Sequence, residues 1–212
     1  MYVICFFPDE LKIAKIVPIH KGDAKNVSTN YRPISLLPIL GKVFEKVIAA
    51  RFLKFLDKHN ILTQNQFGFR KKRSTDLAIA EVYNDLLQNL EDNKYTCAIF
   101  LDLAKAFDSV DHNILLRKIE KYGIRGNALE LMKSYLRNRT HYVHVGNTSS
   151  SPLVLQFGVP QGSVLGPLLF LLFINDMPNC TKFKVTLFAD DTFLKMESPN
   201  LQELVDSKQI DA

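Results

Sequence analysis

Asp190 and Asp191 stand side by side in "KVTLFADDTFLKM", residues 184–196, inside an otherwise apolar and β-branched run. Adjacent carboxylates repel, and half-buried each costs on the order of several kcal/mol unless something neutralises it. A solvated turn is the ordinary home of such a pair. Here Phe188 precedes it and Phe193 follows, so the flanks belong to a buried sheet and the acids call for a counter-charge. Mg²⁺ suits them, because it takes few carboxylates and fills its other positions with substrate phosphate and water. A two-metal site needs a further acid. Asp102, which ends the apolar run "CAIFL", is the candidate, its ordinary alternative being a strand-end or turn acid. The third feature is "GVPQGSVLGP", residues 158–167, with glycines and prolines around Gln161. It reads plainly as a loop and helix start. In a functional role it lets backbone approach a ligand, offers it a helix N-terminus, and sets Gln161 along a nucleotide or template.

Periodicity supplies the elements that must position these residues. Residues 11–20 alternate as a strand that Pro18 interrupts, and apolar residues from Leu40 to Leu56 follow helical spacing. Ser74 N-caps a helix with Ala78, Val82, Leu86 and Leu90 on one face. "TCAIFLDL" is a β-rich run ending in an acid. Asp111 caps the helix "HNILLRKIEKY", which Gly123 ends in a left-handed conformation, and another helix covers 126–137. Residues 140–157 read as two strands around "GNTSSSP", and 161–175 as an apolar helix. The Asp pair falls at the tip of a hairpin, and 199–209 look helical. Helices and strands mix without regular βαβ alternation, which predicts an α+β fold.

The 212-residue length allows one large domain or two small ones, and 47% hydrophobic residues exclude long disordered tracts. A net charge of +5 permits an anionic partner without requiring one. Cys5, Cys97 and Cys180 make neither a disulfide framework nor a zinc spacing, which fits a reducing compartment, with Cys97 a small core residue. "MYVICFF" stops at Pro8 without a basic lead-in, and "VLGPLLFLLFI" is too short to span a bilayer. The expectation is an intracellular protein of the nucleus or cytoplasm, neither secreted nor membrane-bound.

In order, "AIFLDLAKAFDSVDH", "GVPQGSVLGPLLFLLFINDM" and "FADDT" resemble motifs A, B and C of reverse transcriptases from non-LTR (LINE-like, jockey-like) retrotransposons. Upstream, "LKIAKIVPIHKGDAKNVSTNYRPISLLPILGKVFEKVIAARF" and "QFGFRKKRSTDLAI" resemble the fingers motifs of that family. The resemblance runs from about Phe7 to Pro199. It implies a right-hand polymerase with fingers over 1–95, palm over 96–198 and a truncated C-terminal helix over 199–212. The activity implied is RNA-directed DNA synthesis, adding dNTPs to a primer 3′-hydroxyl on an RNA template. Asp102 and Asp190 would bind two Mg²⁺ ions (Mn²⁺ being the substitute), with Asp191 accompanying them and the Leu103 carbonyl completing a site. Lys21, Arg32, Gln161 and Gly162 would hold the incoming nucleotide. Phe107, five positions after Asp102, matches the aromatic steric gate against a ribose 2′-hydroxyl, where RNA polymerases carry a second Asp. Arg70, Lys71, Lys72 and Arg73 match a template-contacting region, their ordinary alternative being a solvated loop. The chain stops about twenty residues after Asp191, so the resemblance predicts an absent thumb, no preceding endonuclease, exposed apolar surface and a weak hold on primer–template. The alternative is a catalytically inert retroelement remnant that at most binds nucleic acid. An RNA polymerase is the weaker third option, and oligomeric state is not indicated.

Overall fold

The computed structural model describes residues 6–22 and 24–206. In chain order the elements are β1 (Ile13–His20), β2 (Tyr31–Leu36), α1 (Ile39–Lys58), α2 (Thr75–Glu91), β3 (Tyr95–Leu101), α3 (His112–Lys121) and α4 (Asn127–Leu136). β4 (Thr140–Val145), β5 (Thr148–Ser149), β6 (Leu153–Val154), α5 (Leu165–Ile174), β7 (Lys184–Phe188), β8 (Asp191–Ser198) and α6 (Leu201–Asp206) follow. The fold is α+β. Two compact units form, each from two stretches of chain: residues up to Ile61 with Lys105–Phe173, and Leu62–Ala104 with the residues from Ile174.

In the first unit β1 lies between β2, antiparallel, and β4, parallel, while β5 and β6 pair antiparallel with β4. Pro18 does not interrupt β1. It sits opposite Pro33, and β4 pairs with β1 only as far as Ile16, so the missing N–H costs no ladder bond. The stretch 140–157 forms three short strands rather than two. Ser150 ends the pairing by bonding its Oγ to the Val143 N–H, and Pro152 has no N–H to continue it. α5 is apolar all round and correspondingly buried, with Leu165, Leu169 and Leu172 at 0% exposure. It begins at Leu165, not 161, because Ser163 Oγ bonds the Pro160 carbonyl and the Gly166 N–H in a tight turn.

A helix start this deeply buried needs acceptors for its free N–H groups. Glu45 of α1, 1% exposed, supplies them: its Oε2 accepts from Val164 N (2.5 Å) and Leu165 N (3.2 Å), and its Oε1 from the Tyr135 hydroxyl (3.1 Å). α1 buries Phe52 and Leu56, yet Val43, Phe44 and Val47 remain about half exposed. They border an apolar groove of about 950 Å³ whose other residues include Ile124 and Leu131. Phe52→Ala should therefore lose about 3–5 kcal/mol in urea unfolding, whereas Val47→Ala should lose under about 1 kcal/mol.

The second unit is an antiparallel sheet, β3-β8-β7, packed by α2 and α6. Ser74 caps α2 by accepting from Leu77 N. The predicted apolar face is broken at its end: Leu90 is 70% exposed and Asn89 is buried, its amide donating to Thr96 Oγ1 at 2.9 Å. Cys97 is half-buried rather than core. Lys195, 5% exposed, lies between Asp85 (3.5 Å) and Glu197 (3.0 Å). The hydrogen bond from Lys195 holds the Glu197 carboxyl at about 2, below its ordinary 4.5. A depressed carboxyl contributes stability fully above the unfolded value and loses it as pH falls toward the folded one. Glu197→Gln should therefore flatten acid destabilisation between about pH 4.5 and 2, as read from urea midpoints across that range. α6 covers 201–206 of the expected 199–209, and residues 207–209, like Cys5, lie outside the described residues. No described helix is long and apolar enough to cross a membrane.

Candidate active site

All three acids belong to the second unit. β3 and β8 pair with Leu101 opposite Thr192, and β7 and β8 with Phe188 opposite Asp191. Ala189 and Asp190 therefore form a two-residue turn, and Ala189 takes the positive φ (56°) that such turns demand. Asp102 directly follows Leu101, so continuing the register sets it across from Asp191. The acids thus share one end of one sheet. Asp102 and Asp191 are exposed and Asp190 half-buried, and none of the three carboxylates makes a hydrogen bond or ion pair among the described residues. Leu103 is 37% exposed beside them.

Uncommitted carboxylate oxygens are the donor type a hard divalent cation prefers. Among the described residues no three His, Cys, Asp or Glu side chains gather into a cluster that could hold a metal. A Mg²⁺ site needs only one or two carboxylates when substrate oxygens complete it, so this donor set fits an ion that arrives with phosphates.

Segment 65–68 lies against the same hairpin. Phe67 N donates to Leu187 O and Leu187 N to Asn65 O, both at 2.8 Å, adding a short parallel edge to β7. The buried Gln66 side chain reaches Ala189. The roles of Gln66, Glu45 and Lys195 were not expected from the sequence; for Glu45 and Lys195 the available signal was a charge within an apolar stretch, whereas Gln66 follows the polar run Thr63–Asn65 and carried no such signal.

The nucleotide-binding candidates belong to the first unit. Lys21 continues β1, its N–H donating to Asn30 O at 2.8 Å, and Arg32 sits opposite Ile19. Alternation along paired strands puts both cations on one hairpin face. Both are exposed, and neither side chain has a partner among the described residues. Phe107 is half-buried and stacks on Phe170 of α5, with ring centroids 4.9 Å apart and planes 17° off parallel. Its carbonyl accepts from Val159 N at 2.8 Å, and Gly158 N donates to Val110 O at 2.8 Å. Desolvation pushes the neighbouring Asp108 carboxyl up, offset in part by Lys105 and His141. Gln161 passes its carbonyl to Ser35 N (2.7 Å), while its side-chain amide makes no hydrogen bond among the described residues. Gly162 has φ +109°, and a Cβ there would meet Ser35 O at 2.7 Å, so only glycine fits. The structure brings Phe107 to the 158–162 turn, and that turn to β2.

The basic cluster divides. Arg70 donates to Thr63 O (2.5 Å), and Arg73 donates to Gln64 Oε1 (2.6 Å) with its guanidinium 4.6 Å from the Phe67 ring centre. Lys71 and Lys72 are exposed without partners among the described residues.

A reverse transcriptase (RNA-dependent DNA polymerase) family profile matches residues 19–209. The chain is 42% identical over 208 residues to a probable RNA-directed DNA polymerase from transposon BS of Drosophila melanogaster, covering 91% of this chain and 22% of that protein. It is 37% identical to the RNA-directed DNA polymerase from mobile element jockey of the same species, over 96% of this chain and 24% of that protein. The chain therefore spans less than a quarter of either relative. Among solved structures, apo telomerase from Candida tropicalis, truncated from its C-terminal domain, superposes with TM-score 0.65 at 14% identity. That likeness covers 95% of this chain and 46% of the telomerase chain, and it is one of fold.

Proposed function

This chain belongs to the reverse transcriptase (RNA-dependent DNA polymerase) family, and we propose that it carries the fingers (1–95) and palm (96–198) of an RNA-directed DNA polymerase of a non-LTR retrotransposon. The observation that supports this reading is the end of the β3-β8-β7 sheet, where strand register sets Asp102 across from Asp191 and next to the turn that carries Asp190, with no internal partner for any of the three carboxylates among the described residues. Reverse transcriptases generally use divalent metal ions. Asp102 and Asp190 would hold two Mg²⁺ ions, with Asp191 adjacent and the Leu103 carbonyl completing one site. When bound, such ions polarise the primer 3′-hydroxyl and neutralise charge on the triphosphate.

The remaining work falls to positioning. Lys21 and Arg32, unpaired cations on one hairpin face, meet the triphosphate of a dNTP, Arg32 with the forked donors that suit phosphate oxygens. Gln161 keeps its amide for the nucleotide, and Gly162 holds the turn that presents it. Phe107, wedged against Phe170, is a fixed wall beside the sugar and bars a 2′-hydroxyl. Lys71 and Lys72 meet phosphates of the RNA template and its DNA primer, while Arg70 and Arg73 brace their loop. Such an activity belongs in the nucleus or the cytoplasm.

The Phe107 role is tested by nucleotide choice. Phe107→Ala should raise ribonucleotide use relative to dNTP use by about 10-fold or more, read as the ratio of kcat/KM values. An unchanged ratio would remove the steric-gate role and with it the preference for DNA synthesis.

A further inference from the structure

The geometry points to Gln66 as the positioning residue of the acid hairpin, a role that rests on Asp190 and Asp191 being the reacting acids. Gln66 is 3% exposed and 123 residues from Ala189 in the chain. Its Oε1 accepts from Ala189 N at 2.9 Å and from Gly68 N at 2.7 Å, and its Nε2 donates to Ala189 O at 3.3 Å. One side-chain amide thereby binds both polar backbone groups of Ala189, as a neighbouring strand would. The amide orientation is fixed by this pattern, since a flipped amide would aim its NH₂ at two N–H groups.

Ala189 needs such a hold. It takes φ +56°, a left-handed conformation that costs a residue with a Cβ roughly 1–2 kcal/mol. It also immediately precedes Asp190, so its dihedrals set where the acids point. Gly68 closes the arrangement from the same side. A Cβ at Gly68 would lie 2.2 Å from Ala189 N and 2.8 Å from its Cα, so no larger residue fits without moving the hairpin. Neither Gln66 nor Gly68 carries a charge for the reaction. Both fix the turn that carries the acids.

Residue-resolved hydrogen exchange and Mn²⁺ binding test this in the full chain. In the wild type the Ala189 amide should exchange as slowly as the β7–β8 ladder amides, although it lies in a turn. Exchange at the rate of an unprotected turn would overturn the role without any variant. Gln66→Met, of equal length but lacking the amide, should speed Ala189 and Gly68 exchange at least about 10-fold beyond any change in the β3–β8 ladder. It should also weaken Mn²⁺ binding, followed by the resonance of the free ion, by about 10-fold. Gln66→Glu keeps an acceptor for both N–H groups and should restore their protection. Equal acceleration across hairpin and ladder, with Mn²⁺ affinity of the folded chain unchanged, would reduce Gln66 to a core residue and overturn the role. Asp102→Asn and Asp190→Asn separate the premises. If neither alters Mn²⁺ binding, the metal-site reading fails, whereas the exchange rates still decide what Gln66 does.

Discussion

Asp190→Asn is expected to lower nucleotide incorporation by about 10²–10³-fold or more while leaving the chain at least as stable as before. The two halves of that expectation have one cause. The Asp190 carboxylate makes no hydrogen bond or ion pair among the described residues, so an amide of the same shape strands no partner. It also removes the repulsion with the adjacent Asp191, which favours the folded hairpin. What disappears is a negative charge at the sheet end, where the proposed cation would be held. Single-turnover incorporation and urea midpoints, measured on the same preparations, separate the effects. A large fall in stability would mean that Asp190 is structural. An unchanged rate would remove it from the chemistry. Asp102→Asn should behave alike.

The largest effect on stability is expected at Glu45. Glu45→Ala removes the acceptor of three donors at once: the buried Leu165 N–H, the part-buried Val164 N–H and the buried Tyr135 hydroxyl. Each buried donor left without a partner costs about 1–3 kcal/mol, so a loss of about 3 kcal/mol or more is expected. Burial pushes the Tyr135 phenol well above its ordinary value, so its hydroxyl stays a donor at any working pH. Glu45→Gln keeps one good acceptor but turns an NH₂ toward donors, and should fall between Ala and wild type. Denaturant midpoints on the three proteins check the order. Because the turn at 158–164 leads straight into α5, Glu45→Ala should also loosen the loop that presents Gln161, raising KM for the dNTP more than it lowers kcat.

Features with local causes were legible in the sequence. Ser74 and Asp111 cap the helices they precede because an N-cap bond spans only two or three residues. The Asp pair at a hairpin tip was readable because two apolar β-rich halves flank it. The residues that brace the acid hairpin and the start of α5 were not. Gln66 finds Ala189 across 123 positions and Glu45 finds Leu165 across 120, and no pattern within a window reaches that far. Helical spacing in α1 showed which residues share a face but not which of them are covered, so Val43, Phe44 and Val47 read like core and stand half exposed. Charge counting likewise could not tell that Arg70 and Arg73 bond within their own loop while Lys71 and Lys72 stay outside it. The family resemblance supplied site roles that residue chemistry alone left open, above all for Phe107, whose stacking on Phe170 is compatible with a core aromatic and with a wall beside a sugar.

The proposed polymerase function is tested by extension of a DNA primer on an RNA template, with dNTPs and Mg²⁺, comparing the wild-type chain with its Asp102→Asn variant. Template-directed addition of dNTPs by the wild type is expected, lost in Asp102→Asn and on chelation of the metal. Salt-sensitive binding of primer–template without any incorporation, or incorporation that Asp102→Asn leaves intact, would contradict it.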